Sequence, residues 1–179
     1  YIYYLLCSIS HLIMRKTLFA LLIIQLVIFA CSSKKEEKNA PLTATEVTTV
    51  NEYPDIVLRL TDGKEVRAKS LKGDNVFVLF QPDCDHCQEE AVEIERRLAE
   101  FKNYTLYFIS SAPVEHIIGF AKNFNLHDQQ NVLFAWTTTE GVLDHYGPIP
   151  TPSVYIYSDG RLKQSFKGQT SIDNILGAL

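Results

Sequence analysis

Apolar positions follow two different periods along the chain, which predicts a mixture of strands and helices. Continuous apolar runs cover residues 76–80 and 132–136, and a mostly apolar run covers 104–110, as expected for strands buried on both faces of a sheet. Between these runs, apolar side chains recur every three or four residues from Cys87 to Phe101 and from Ile117 to Phe124. This spacing predicts two amphipathic helices that alternate with the strands.

Two Asp-Gly pairs predict hairpins at the two ends of this region. Asp62-Gly63 separates the predicted strands 56–60 and 64–68, and Asp159-Gly160 separates 153–157 and 161–166. A short helix over 140–146 and a closing helix over 171–179 complete the pattern. Strands that alternate with helices predict an α/β fold whose sheet carries helices on both faces.

The first 50 residues have a different character. Arg15 and Lys16 precede an apolar run over 18–30, which predicts a signal peptide over residues 1–30. The only methionine is Met14, so we expect translation to begin there and residues 1–13 to be an extension before the true start. The alternative is an uncleaved membrane anchor, because residues 1–13 are also apolar and would lengthen the run.

The segment Ile28-Phe29-Ala30-Cys31 resembles a bacterial lipobox, although Phe29 is bulkier than usual at its position. The resemblance implies that Cys31 is lipidated and becomes the mature N-terminus; a signal peptide that happens to contain a cysteine is the alternative. Residues 32–44 are polar and charged, so we expect 31–50 to be a flexible tether and 51–179 the folded domain. These features predict a bacterial cell-envelope or periplasmic protein, anchored to a membrane by lipid.

The amino-acid composition and net charge are those of a globular protein and do not favour binding to nucleic acid. Of 179 residues, 46% are hydrophobic and 21% are charged, which is typical of a globular protein. The formal net charge is −4 and no basic block stands out, so a nucleic-acid partner has no electrostatic support.

The four cysteines lie in three different parts of the chain. Cys7 lies in the expected extension and Cys31 in the lipobox, which leaves Cys84 and Cys87 in the folded part. One closely spaced pair does not make a disulfide-stapled scaffold. The pair must therefore be reactive, metal-binding or incidental.

The motif Cys84-Asp85-His86-Cys87 joins a predicted buried strand to a predicted helix. This position places Cys84 at a helix N-terminus, where free N–H groups favour a thiolate. Cys87, on the apolar face, would be the resolving thiol. A His86 imidazolium would favour the thiolate further, whereas Asp83 and Asp85 oppose it. The alternative is that His86 is an exposed residue without a redox role.

From about Tyr53 to its end, the chain resembles thioredoxin-fold proteins of the TlpA-like, AhpC/TSA-related group. The resemblance rests on strand–C-x-x-C–helix, the Asp-His-Tyr-Gly of 144–147, Thr151-Pro152-Ser153 and the Asp159-Gly160 hairpin. It implies a thioredoxin fold with a central mixed β-sheet, helices on both faces and an N-terminal β-hairpin extension. It also implies a thiol–disulfide oxidoreductase that needs no cofactor or metal.

The resemblance assigns further site residues. It implies that Pro152 is cis, whereas an ordinary trans turn proline is the alternative, and that Thr151 offers its backbone to the substrate disulfide. Glu90 would move protons; one more solvated acid on a charged helix is the alternative. The partners would be protein thiols and disulfides of the envelope, with electrons from a membrane partner, and the protein would act as a reductant or redox-homeostasis factor.

The sequence departs from the group in two places that leave the redox potential and the direction of electron flow open. Asp83 stands where a Trp is usual and His86 where a Pro is usual. A peroxidase of the same fold is disfavoured, because Gln81 and Phe77 occupy positions where peroxiredoxins carry Thr or Ser and Pro. Two competing hypotheses are a copper- or other metal-binding module, with His86 or His145 joining the thiolates, and a lipoprotein with an inert cysteine pair.

Overall fold

The computed structural model describes residues 51–179, which contain a single mixed sheet and its flanking helices. The elements in chain order are β1 (Val57–Leu60), β2 (Glu65–Arg67), β3 (Asn75–Leu79), α1 (Asp85–Arg96), β4 (Thr105–Ser110), α2 (Val114–Asn123), β5 (Val132–Trp136), α3 (Thr139–Tyr146), β6 (Ser153–Ser158), β7 (Arg161–Lys167) and α4 (Ile172–Leu176). Residues 1–50, with the predicted signal peptide, Cys31 and tether, lie outside the described range. Within residues 51–179, no helix has the length and apolar character needed to cross a membrane.

The strands are arranged in the order β2-β1-β5-β4-β3-β6-β7. β3, β4 and β5 run parallel, because helices connect them, and the remaining pairs are antiparallel. The predicted N-terminal hairpin, β1–β2, extends the sheet beyond β5, with Arg59 opposite Trp136. The predicted mixed sheet is therefore confirmed.

Successive side chains of β3 pack into hydrophobic cores on opposite faces of the sheet, so the whole strand is apolar in sequence. Val76 and Val78 point into a core that packs against α1, α2 and α4. Phe77 and Leu79 point into the opposite core, beside Tyr53 and the partly buried Val142 of α3. The sheet thus has helices on both faces, as predicted.

Two helices are shorter than their apolar spacing predicts. The first ends at Arg96 rather than continuing to Phe101, because Arg97 leaves helical geometry (φ −111°, ψ 16°) and residues Leu98–Phe101 form a 3₁₀ helix. This tighter turn still buries Phe101, so the apolar spacing persists after the α-helix stops. The closing helix covers only Ile172–Leu176 of the predicted 171–179.

Candidate active site

Cys84 is the N-cap residue of α1, and residues 80–83 connect it to the carboxyl end of β3. Its backbone N–H donates to the Gln81 carbonyl at 3.2 Å, which closes a tight turn. Its carbonyl accepts the N–H groups of Cys87 and Gln88, each at 3.0 Å, and so begins the helix. The predicted position of Cys84 at the start of the helix is confirmed.

The segment before β6 lies opposite Cys84. The Cys84 thiol donates to the Thr151 carbonyl with Sγ and O 3.6 Å apart, and the Thr151 hydroxyl lies 3.9 Å from the same sulfur. The Thr151–Pro152 peptide bond is cis, as the resemblance implied. The expectation that Thr151 and Pro152 bind the partner polypeptide stays a prediction.

Cys87 differs from Cys84 in its surroundings. Its side chain is 2% exposed and packs in the core formed by α1, whereas Cys84 is half-buried. Burial raises the pKa of the Cys87 thiol well above its usual value, and the adjacent Cys84 adds to the rise. The Gln81 backbone and the Thr151 side chain act more weakly in the opposite direction. Both cysteines are present as free thiols.

Glu90 lies one helical turn after Cys87 on the same buried face of α1. It is 4% exposed, and neither carboxylate oxygen has a hydrogen-bond partner. Burial raises the pKa of Glu90 to about 7; the Thr170 backbone opposes this rise without making a full hydrogen bond. The alternative that Glu90 is one more solvated acid is therefore wrong.

The charged residues next to the cysteines are exposed. Asp83, Asp85 and His86 all face solvent, and His86 Nδ1 lies 3.5 Å from the Glu89 carboxylate. A carboxylate beside the ring offsets part of the positive charge that a protonated His86 would bring to the site. The influence of His86 on Cys84 stays a prediction.

Sequence reasoning missed a polar group at the same edge of the sheet. The Ser110 hydroxyl donates to Gln81 Oε1, and Gln81 Nε2 donates to the Ser111 hydroxyl, both at 3.4 Å. With Thr151 and the apolar Leu143, these residues line a small pocket of about 130 Å³. The available signal was that Gln81 lies two residues after β3 and Ser110 ends β4; the carboxyl ends of adjacent parallel strands meet at one edge of the sheet.

The metal-binding alternative has no support in the geometry of the folded domain. Within residues 51–179, no three or more His, Cys, Asp or Glu side chains are grouped so as to hold a metal ion. His86 instead pairs with Glu89.

Comparison with known protein families identifies the family to which the chain belongs. A model of the AhpC/TSA family matches residues 50–165, so the chain belongs to that family. Its fold is that of the thioredoxin superfamily. The family match and the similarity to a thiol–disulfide oxidoreductase identify the protein as an oxidoreductase of the thiol–disulfide class. The arrangement of Cys84 and Cys87 agrees with this class.

One relative of known class and two solved structures are similar to this chain. The thiol–disulfide oxidoreductase ResA of Bacillus thuringiensis is 27% identical over 128 residues, which are 69% of this chain and 72% of that protein. A secreted Mycobacterium tuberculosis disulfide oxidoreductase has a similar structure, with a TM-score of 0.59 and 20% identity over 69% of this chain and 93% of the other. Copper-bound ScoI of Arabidopsis thaliana is also similar, with a TM-score of 0.56 and 15% identity over 70% and 94% of the two chains. At these identities the two structural matches establish the fold alone.

Proposed function

We propose that this protein exchanges disulfides with protein partners, with Cys84 as the attacking thiol and Cys87 as the resolving thiol. The observation that carries the proposal is the unequal burial of the pair. Cys84 is half-buried at the start of α1 and contacts Thr151, whereas Cys87 is 2% exposed. Exchange requires an accessible sulfur, and of the two cysteines in residues 51–179 only Cys84 provides one.

The reduction of a partner then takes two steps. The Cys84 thiolate attacks a partner disulfide, forming a mixed disulfide and releasing one partner thiolate. Cys87 next loses its proton and attacks Cys84 Sγ, which forms the Cys84–Cys87 disulfide and releases the second partner thiolate. Two electrons pass to the partner, and both partner thiolates take up protons from solvent.

Glu90 supplies the base for the second step. Cys87 holds its proton tightly because it is buried. Glu90 is on the same face one turn away and has two unpartnered oxygens. A carboxylate that titrates close to neutral pH is suited to accept a proton and release it again in each cycle.

The finer features of the proposal come from the N-terminal sequence. We place the domain in the bacterial cell envelope, held to a membrane by lipid on Cys31 and receiving electrons from a membrane partner. The support is the basic start, the apolar run over 18–30 and the lipobox-like Ile28-Phe29-Ala30-Cys31. The similar Mycobacterium protein is described as secreted.

Trapping in cells tests the reaction. Cys87→Ser should accumulate disulfide-linked complexes through Cys84, because the step that resolves them is blocked. Cys84→Ser, the matched control, should capture nothing. If Cys87→Ser captures no partner while the wild-type protein purifies with stoichiometric copper or zinc, the protein is a metal module and the proposal is wrong.

A further inference from the structure

A pocket of about 130 Å³ lies beside Cys84, where the carboxyl ends of β3 and β4 approach α3. Two of the residues that line it contact Cys84 directly. The Thr151 carbonyl oxygen is 3.6 Å from Cys84 Sγ, and the Gln81 carbonyl accepts the Cys84 N–H at 3.2 Å. The pocket therefore opens next to the sulfur that would carry a partner in the mixed disulfide.

Apolar side chains form most of the pocket wall. Leu79 and Ile109, which are opposite each other in β3 and β4, are almost completely buried, and Val142 and Leu143 belong to α3. The Leu143 side chain is 45% exposed, so part of this wall faces solvent. An apolar group that entered the pocket would cover the exposed part of the wall and gain free energy from burial.

One end of the pocket is polar and consists of the side chains of Gln81, Ser110 and Ser111. Ser110 is only 3% exposed. The hydrogen bonds from Ser110 to Gln81 and from Gln81 to Ser111 are both 3.4 Å, which is longer than an ordinary hydrogen bond. A primary amide has two N–H donors and an oxygen with two lone pairs, so Gln81 retains capacity for a further partner. A ligand group that donates and accepts hydrogen bonds fits this end.

Every side chain that the structure describes at this pocket is uncharged. A charged group that entered would lose its water and meet no opposite charge, which is costly. A neutral polar group needs only the hydrogen bonds that the polar end offers. The lining therefore favours a neutral occupant, with an apolar stem against the wall and a polar tip at Gln81 and Ser110.

We propose that this pocket binds an uncharged side chain of the partner, apolar along its stem and carrying an amide at its tip, from a residue close to the partner's reacting cysteine. The inference rests on the proposed function and names the class of residue that a preferred partner carries there. In an extended chain, side chains two positions apart point to the same side and are roughly 7 Å apart. A residue two positions from the partner cysteine therefore reaches the pocket while that cysteine is bonded to Cys84. Glutamine has the stem and tip that the lining favours.

Symmetric peptide disulfides test the proposal. Each is a dimer of a short alanine-rich peptide with one cysteine, and carries glutamine, leucine, glutamate or alanine two positions before or after it. The peptides react with the Cys87→Ser variant, in which the mixed disulfide through Cys84 accumulates, and rapid quenching gives the second-order rate constant. We expect the glutamine peptide to react roughly fivefold faster than the leucine peptide, as one additional hydrogen bond predicts. The comparison of glutamine with leucine decides the test, because Asp83 and Asp85 beside Cys84 also repel glutamate.

Two changes in the Cys87→Ser background locate the preference. Gln81→Met replaces the amide by a thioether of similar length, so the glutamine and leucine peptides should react with it at equal rates. Thr139→Phe places a ring at the pocket from the exposed start of α3, so both peptides should fall to the rate of the alanine peptide. Glu140→Phe changes the next residue of α3, which does not line the pocket, and should keep the preference for glutamine. Iodoacetamide should alkylate Cys84 at the same rate in all these variants, because none of the changes touches the sulfur.

The outcomes separate the pocket from the proposed function. Equal rates for the glutamine and leucine peptides with Cys87→Ser would overturn the pocket, as would a preference for glutamine that survives both Gln81→Met and Thr139→Phe. If Gln81→Met fails to fold, the survival or loss of the preference in Thr139→Phe decides alone. If Cys84 forms no mixed disulfide with any peptide or protein, the proposed function has failed; a reactive Cys84 that does not distinguish glutamine from leucine rejects only the pocket.

Discussion

The sulfur of Cys84 lies 3.6 Å from the carbonyl oxygen of Thr151, across 67 residues of sequence. The contact joins the start of α1 to the segment before β6, two places that meet because β3 and β6 are neighbours in the sheet. Under the proposed function, a polypeptide bonded to Cys84 would lie beside Thr151. The hydroxyl of Thr151, 3.9 Å from the same sulfur, adds a donor that can stabilise the thiolate.

Removing that hydroxyl should make Cys84 less reactive. Thr151→Val keeps the side-chain shape and the backbone carbonyl but loses the donor, at a cost of about 1 kcal/mol, or roughly fivefold in alkylation rate at neutral pH. Thr61→Val, at the exposed β1–β2 turn, is the matched control and should react as the wild type does. Equal rates for the wild type and Thr151→Val would show that only the backbone of Thr151 matters.

The sequence predicted the fold well because the strands are buried on both faces and their apolar runs are unambiguous. It did not predict where α1 ends, since Phe101 keeps the helical spacing although it sits in a 3₁₀ turn. The position of Cys84 followed from a strand-to-helix junction, which is a local feature. The contact between Cys84 and Thr151 was implied only by the family resemblance.

Glu90 shows most clearly what the sequence left open. Its spacing from Cys87 placed both on one helical face, but neighbouring Glu89 and Glu93 made a solvated role equally plausible. Its burial depends on packing of the segment around Thr170, 80 residues further along, and no local pattern reports that contact. The Gln81–Ser110–Ser111 group was missed for the same reason, as it forms only when β3 and β4 pair.

Cys31 supplies a test of the membrane tether. Cys31→Ser should abolish acylation, so the protein should be released from the membrane fraction or accumulate as an uncleaved precursor. Mass spectrometry of the wild-type N-terminus should show a lipidated Cys31, and Cys84→Ser, which leaves the lipobox intact, should fractionate with membranes. A wild-type mature chain that starts at Met14 without lipid would contradict the tether.

The proposed proton-transfer role of Glu90 predicts a pH dependence of the resolving step. The pKa of Glu90 is raised to about 7 by burial, so the carboxylate is ionised and able to accept a proton only above that pH. Resolution in the wild type should therefore accelerate as the pH rises through about 7 and then level off. Glu90→Gln should lose this inflection. Above pH 7 it should resolve the mixed disulfide roughly a hundredfold more slowly, which is the lower end of the rate enhancement that a positioned general base provides. Stopped-flow measurements with Cys84 alkylation as the reference step would check this, and an unchanged inflection in the variant would assign it to another group.

The same shift makes a prediction about stability, which needs no partner. In the unfolded chain Glu90 has its ordinary pKa near 4.5, and in the folded protein burial raises it to about 7. Between these values the folded state holds a proton that the unfolded state has released, so the free energy of unfolding should fall as the pH rises from 4.5 to 7. The loss amounts to about 3 kcal/mol and is complete above pH 7.

The variant Glu90→Gln tests this shift, because its amide resembles the protonated acid at every pH. Its free energy of unfolding, relative to that of the wild type, should rise by about 3 kcal/mol between pH 4.5 and pH 8. Urea unfolding of the reduced proteins at the two pH values measures the difference. Glu95→Gln, on the same helix, should show no such gain, and a Glu90→Gln difference that is independent of pH would contradict the raised pKa.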